Sequence, residues 1–174
     1  MLYLGRNMTD SALLKGILQS NDEYARTFDR SELALPPAKK LAILACMDAR
    51  IDVHAITGLH EGDTHVIRNA GGLATEDALR SFVISTNLLG TREFVVINHT
   101  DCGMLTFKDK EVQEKLTQQY GVNASKLNLH AFTDLEENVG TQVERIRTNP
   151  FIPKDIPITG FVYDVHTGKL KRVT

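Results

Sequence analysis

At 174 residues the chain is long enough for one packed domain and too short for two comfortable ones. Its 42% apolar and 24% charged residues are those of an ordinary globular protein, and a net charge of −2 gives no basic patch for nucleic acid. No run approaches the roughly 18 apolar residues of a membrane-spanning helix. The first twenty residues, broken by Arg6, Asp10 and Lys15, are expected to carry neither a secretory signal nor an anchor. The chain is expected to be cytoplasmic, and two cysteines in an intracellular chain read as thiols or ligands in place of a structural disulfide.

Residues 9–30 read as a helix, capped by Thr9 or Asp10, with Leu13, Leu14, Ile17 and Leu18 as an apolar stripe suited to a partner subunit. Leu35-Pro36-Pro37 closes this arm. A buried strand over 41–46 follows, then a short helix from about Val53 to Leu59 and a second strand at His65–Arg68. After the loop Asn69-Ala70-Gly71-Gly72, Thr75 starts a helix that buries Leu79, Phe82, Val83 and Leu88 and ends at Gly90. The third strand is 93–98. Residues 109–119 form a polar surface helix, 122–133 are irregular, and Asp134 caps a helix to about Thr148 with Val139, Val143 and Ile146 on its apolar side. Ile158–Val165 is a core strand, and the turn His166-Thr167-Gly168-Lys169 returns it into Leu170–Val173. The fold class expected is α/β, a mostly parallel β-sheet flanked by helices. It forms a single domain, with an N-terminal helical arm over 1–40 and an α/β core over 41–174.

The strand at 93–98 runs into His99-Thr100-Asp101-Cys102-Gly103-Met104. Cys46 ends the first strand in the same way. If these two strands are parallel neighbours, Cys46, His99 and Cys102 converge at the carboxyl edge of the sheet, where doubly wound folds place their chemistry. Zinc takes thiolate and imidazole, and three protein ligands with a fourth position open to water is the arrangement of catalytic sites. Alone, Cys46 also reads as a buried core cysteine. Asp48 and Arg50 read either as a surface ion pair or, beside a metal, as a carboxylate that accepts from bound water or binds the metal, with the arginine fork deciding which. His54, His60 and His65 are candidate proton relays or packing residues, while His130 and His166 sit in loops. Asp101 is a turn residue or a contact to a ligand. A reversible thiol switch between Cys46 and Cys102 is the non-enzymatic alternative. A nucleotide-binding module lacks its G-x-G-x-x-G fingerprint.

Cys46-Met47-Asp48-Ala49-Arg50, Arg68-Asn69-Ala70-Gly71 and His99-Thr100-Asp101-Cys102-Gly103 together resemble, in order and spacing, the signature of the β-class carbonic anhydrases. The resemblance implies one zinc per chain on Cys46, His99 and Cys102, an Asp48–Arg50 dyad, and a homodimer or dimer of dimers with the N-terminal helix wrapped on the neighbour. It also implies a small-molecule substrate, most simply carbon dioxide hydrated to bicarbonate by attack of metal-generated hydroxide on the central carbon. Backbone amides of Asn69, Ala70, Gly71 and Gly72 or of Gly103 are candidates for meeting the developing oxyanion. Plant-type members line the wall of the substrate pocket with a glutamine before the first strand and a phenylalanine and a valine around the second; here Pro37, His65 and Ala70 stand in those places. That is closer to the compact archaeal and bacterial branch, which is similar to enzymes hydrolysing carbonyl sulfide and carbon disulfide. Hydrolysis of those sulfur substrates is therefore the alternative activity.

Overall fold

The computed structural model describes residues 11–174, in two units, one reaching Leu33 and one from Ala34 to Thr174. In the first, α1 (Ala12–Arg26) starts where the Ser11 hydroxyl accepts from the Leu14 N–H. The expected caps Thr9 and Asp10 lie outside the described residues. The helix stops at Arg26, four residues short of the expected end, and buries nothing: Leu13, Leu14, Ile17 and Leu18 all stay exposed.

The second unit is built on a five-stranded sheet in the order β2-β1-β3-β4-β5. Strands β1 (Leu41–Cys46), β2 (Thr64–Asn69), β3 (Glu93–His99) and β4 (Ile158–Tyr163) are parallel, and β5 (Leu170–Arg172) returns antiparallel. The apolar runs of β1 and β3 are continuous because both faces are covered. Ala42, Leu44, Phe94 and Val96 face one layer, made by α3 (Glu76–Asn87) and α5 (Leu135–Thr148), where Phe82, Val143 and Ile146 are buried. Ile43, Ala45 and Ile97 face the other, where Ile51, Val53 of α2 (Val53–Thr57), Met104 and Phe132 pack. Helix α4 (Asp109–Tyr120) buries no residue, as its polar sequence predicts. Asp109 still fastens the irregular stretch after it, accepting the N–H groups of Leu129, His130 and Ala131.

Two expectations fail locally. Leu88 is 71% exposed: its N–H still bonds the Ile84 carbonyl, so helical phase sets it with exposed Ile84 and away from the buried face of Ala78, Phe82, Ser85 and Thr86. Strand β4 ends at Tyr163, two residues early, because Asp164 already opens the hairpin by bonding Lys169 and Gly168.

What places the site is the pairing of β1 with β3 in parallel, Ala45 opposite Ile97, and of β1 with β2, Cys46 opposite Asn69. Cys46 and His99 therefore leave the sheet at one edge, beside the loop that follows Asn69. That loop is pressed onto β1. A Cβ on Gly72 would stand 2.9 Å from the Cys46 nitrogen and 2.9 Å from Asn98 Nδ2, at a φ of +62°. Gly72→Ala is thus expected to lower stability by about 1–3 kcal/mol. Gly140→Ala, in open space on α5, is expected to raise it by about 0.5–1 kcal/mol. Urea unfolding of the two variants checks the opposite signs.

Candidate metal centre

Cys46, His99 and Cys102 converge, all buried, with their ligand atoms within 4.8 Å of one another. The two sulfurs are 4.0 Å apart and unbonded. Two thiolates on one tetrahedral zinc, each at about 2.3 Å, stand roughly 3.8 Å apart, so the spacing fits without rearrangement. His99 Nδ1 bonds the Thr100 carbonyl at 2.8 Å, which puts the proton on that nitrogen and leaves Nε2 as the electron-pair donor. Among the described residues, Nε2 of His99 is the buried side-chain nitrogen or oxygen that has no hydrogen-bond partner. Leaving such a group unpaired is costly, and a cation between it and the two sulfurs removes the cost.

The electrostatics favour the same occupant. The Cys102 thiol beside it holds Cys46 down, to about 4, against burial; the same contact, with burial, pushes Cys102 up. The pair gives one thiolate readily and yields its second proton to a cation. Burial is the largest influence on His99 and disfavours its charged form, but the Cys46 sulfur, the Thr100 carbonyl and Asp48 together outweigh it and the net shift is upward.

Asp48 and Arg50 face this group from the segment leaving β1. Arg50 Nε and Nη2 reach Asp48 Oδ1 and Oδ2, both at 2.9 Å, and the Arg50 N–H adds a third bond to Oδ1 at 2.9 Å. The fork holds the Asp48 carboxyl well below the usual carboxylate range. It also restrains Oδ2, which lies 3.8 Å from His99 Nε2 and is outside the three-residue group. Arg50 is held in turn by the Asp101 carbonyl, at 3.1 Å, and Asp101 by His166, at 2.8 Å.

The loop Asn69–Gly72 borders the centre, but its groups are not equivalent. The Gly71 N–H points at Cys46 Sγ, 3.3 Å away, and the Gly72 N–H at the Asn69 carbonyl. The Asn69 side chain closes the loop on itself, accepting from Leu73 N–H and donating to Leu73 carbonyl. Ala70 and Gly103 are exposed next to buried ligands. Of the three places where the plant pattern is broken, Ala70 lies beside Cys46. His65 lies opposite Ala42, about 13 Å back along the strand, bonded to Ser85. Pro37 precedes β1 at the same far end, so neither wall residue reaches the centre of its own chain. His54 and His60 are exposed on and after α2.

Sequence inspection gave no task to Arg68 or Asn98. Arg68 Nε and Nη2 bond the carbonyls of Cys46 (3.0 Å) and Asp48 (2.7 Å), fixing the backbone that carries ligand and dyad. Asn98, 1% exposed, holds the carbonyls of Gly71 and Gly72. A polar residue inside an apolar strand was the available signal for Asn98.

Comparison with known proteins points the same way. A family model described as carbonic anhydrase matches residues 41–170. The chain is 46% identical over 157 residues to β-carbonic anhydrase 1 of Mycobacterium tuberculosis, covering 90% of this chain and 95% of that protein. It is 35% identical over 179 residues to a carbon disulfide hydrolase of Acidithiobacillus thiooxidans, covering 91% and 89%. The crystal structure of a carbonic anhydrase from Streptococcus mutans superposes with a TM-score of 0.90 at 41% identity, over 96% of this chain and all of the other.

Proposed function

The chain belongs to the β-carbonic anhydrase family, and from that premise we propose that it hydrates carbon dioxide reversibly at a zinc ion held by Cys46, His99 and Cys102. The observation that carries this reading is the buried, partnerless His99 Nε2 facing two thiols at ligand spacing. Zinc, when bound there, supplies a Lewis acid that turns water into a nucleophile near neutral pH. The protein's own groups do the rest. Cys46, His99 and Cys102 would hold the zinc with room for a water, and Asp48, ionised, held by Arg50 and with Oδ2 3.8 Å from His99 Nε2, would accept a hydrogen bond from that water and fix its orientation. Because the Arg50 fork occupies both carboxylate oxygens, it would keep Asp48 from binding the metal. Ile51, Ile97 and Met104, packed with the two cysteines, make the surroundings apolar, which suits a small linear substrate and excludes bulk water. Ala70, which follows the Cys46 partner Asn69, and Gly103, which follows Cys102, are exposed and are the backbone positions we assign to the substrate, with Asn69, Gly71 and Gly72 shaping the loop.

A second reading rests on the carbon disulfide hydrolase relative: the same centre acting on carbonyl sulfide or carbon disulfide with release of hydrogen sulfide. Ligand chemistry is common to both readings, so the pocket wall decides. Stopped-flow kinetics of zinc-loaded protein on carbon dioxide, carbonyl sulfide and carbon disulfide separates them. The expected result is rapid carbon dioxide hydration with measurable carbonyl sulfide hydrolysis. Sulfide release with carbon dioxide hydration no faster than in zinc-free protein would replace the first reading by the second.

We assign the exposed stripe of α1 to the interface of a homodimer or dimer of dimers, since a helix with Leu13, Leu14, Ile17 and Leu18 all in solvent lacks the burial that stabilises helices of its length. Sedimentation velocity is expected to give a dimer or tetramer, and a monomer at micromolar concentration would contradict the assignment. No described helix is long and apolar enough to cross a membrane. Two unbonded thiols at ligand positions suit a reducing compartment, and we place the protein in the cytoplasm; a compartment-specific redox probe fused to the chain and reporting an oxidising poise would contradict this.

A further inference from the structure

Three amide side chains, Asn98, Asn138 and Gln142, are buried between the sheet and α5, where apolar packing would otherwise continue. Their hydrogen bonds all run in one direction. The Ala74 N–H donates to Gln142 Oε1 at 2.9 Å, Gln142 Nε2 to Asn138 Oδ1 at 2.8 Å, and Asn138 Nδ2 to Asn98 Oδ1 at 2.6 Å. Asn98 Nδ2 then donates to the carbonyls of Gly71, at 2.9 Å, and Gly72, at 3.2 Å. The circuit leaves the loop at Ala74 and returns to it at Gly71 and Gly72, passing through α5 and β3 on the way.

A head-to-tail chain of buried amides is polarised cooperatively and is worth its desolvation when every member is satisfied, as here. Anchoring α5 does not require it, since Val139, Val143 and Ile146 already bury that helix against the sheet. What it fixes is the two peptide planes that follow Gly71 and Gly72, and, through the Gly71 Cα, the plane before them that carries the Gly71 N–H. Both residues sit at positive φ, +84° and +62°, where glycine is otherwise free to turn. The Gly71 N–H is the group that meets Cys46 Sγ at 3.3 Å.

We infer that this amide circuit supports the metal centre from behind: Asn138 and Gln142, on a helix that contributes no ligand, are positioning residues that keep the Gly71 N–H on the Cys46 sulfur. The inference rests on the reading of Cys46 as a zinc ligand. An N–H donated to a thiolate withdraws charge from it, so the metal remains a stronger Lewis acid, and it also fixes the sulfur at its ligand position, the effect on which affinity depends. Contacts of this outer kind are worth about 10–100-fold in metal affinity or activity.

The test uses the full-length chain loaded with cobalt(II) or zinc, comparing wild type with Asn138→Leu, Gln142→Met and Val139→Ala. Gln142→Met is the milder change, at the far end of the circuit, and Val139→Ala empties core on the same helix without touching the amides. In both amide variants the sulfur-to-cobalt charge-transfer band is expected to move to longer wavelength, and zinc affinity, by chelator competition, to fall about tenfold or more. In Val139→Ala the unfolding midpoint is expected to fall while band and affinity stay in place. A band and an affinity unmoved in the amide variants would overturn the inference, as would an equal shift in Val139→Ala. A wild-type cobalt protein with no sulfur-to-cobalt band would overturn the ligand reading itself, and the inference with it.

Discussion

Arg50→Ala is expected to keep its zinc and lose roughly 100-fold or more in carbon dioxide hydration. The substitution removes the fork that holds both oxygens of Asp48, including two bonds of 2.9 Å from the guanidinium. Asp48 Oδ2 already lies 3.8 Å from His99 Nε2, so a freed carboxylate needs a small rotation to take the open coordination position. A carboxylate without its bidentate partner is a competing ligand with nothing to restrain it. Lysine in place of Arg50 is expected to rescue little, because a single ammonium cannot hold two oxygens at once. A crystal structure of Arg50→Ala with Asp48 in its wild-type place, together with wild-type rates, would count against the dyad.

Cys46→Ser and His99→Ala are each expected to lose zinc outright, with affinity falling by more than about 100-fold, beyond what outer contacts carry, and activity dropping to that of zinc-free protein. The fold is expected to persist. The layer of Ala42, Leu44, Phe82, Phe94, Val96 and Val143 contains neither residue, and both sit at strand ends. Serine keeps the size of cysteine but is a poor zinc ligand, and alanine at 99 removes the imidazole whose Nε2 has no other partner. Metal analysis and far-ultraviolet circular dichroism on the same samples measure both halves of the expectation. Stoichiometric zinc in either variant, with activity retained, would contradict the assignment.

Much of this was legible in the chain itself because two kinds of pattern are local. Apolar runs of four to six residues mark strands covered on both faces, and such runs at 41–46 and 94–97 lie on the neighbours that bring Cys46 and His99 to one edge. The carboxylate and guanidinium of Asp48 and Arg50, two residues apart, are close enough in sequence for the fork to be anticipated. What escaped were contacts that only the assembled fold defines. Asn138 and Gln142 flank Val139 and Val143 on α5, and a polar side chain there looks exposed until Asn98 is known to stand opposite. Arg68 was conspicuous by its place in a motif, but its targets are two carbonyls on the neighbouring strand and its extension. His65 shows the limit of a resemblance: it stands where plant-type members line the pocket, while the β1–β2 register puts it opposite Ala42, away from the centre of its own chain. Leu88 misled because it is apolar, although at 100° per residue it falls on the side of Ile84 and not with Ala78, Phe82, Ser85 and Thr86.

The zinc K-edge absorption spectrum of the wild-type protein tests the central claim most directly, because it counts the sulfurs on the metal without reference to turnover. The arrangement of Cys46, His99 and Cys102 predicts a four-coordinate zinc with two sulfurs at about 2.3 Å, one imidazole nitrogen at about 2.0 Å and one light atom completing the shell. A zinc with fewer than two sulfurs, or with no imidazole scattering, would contradict it.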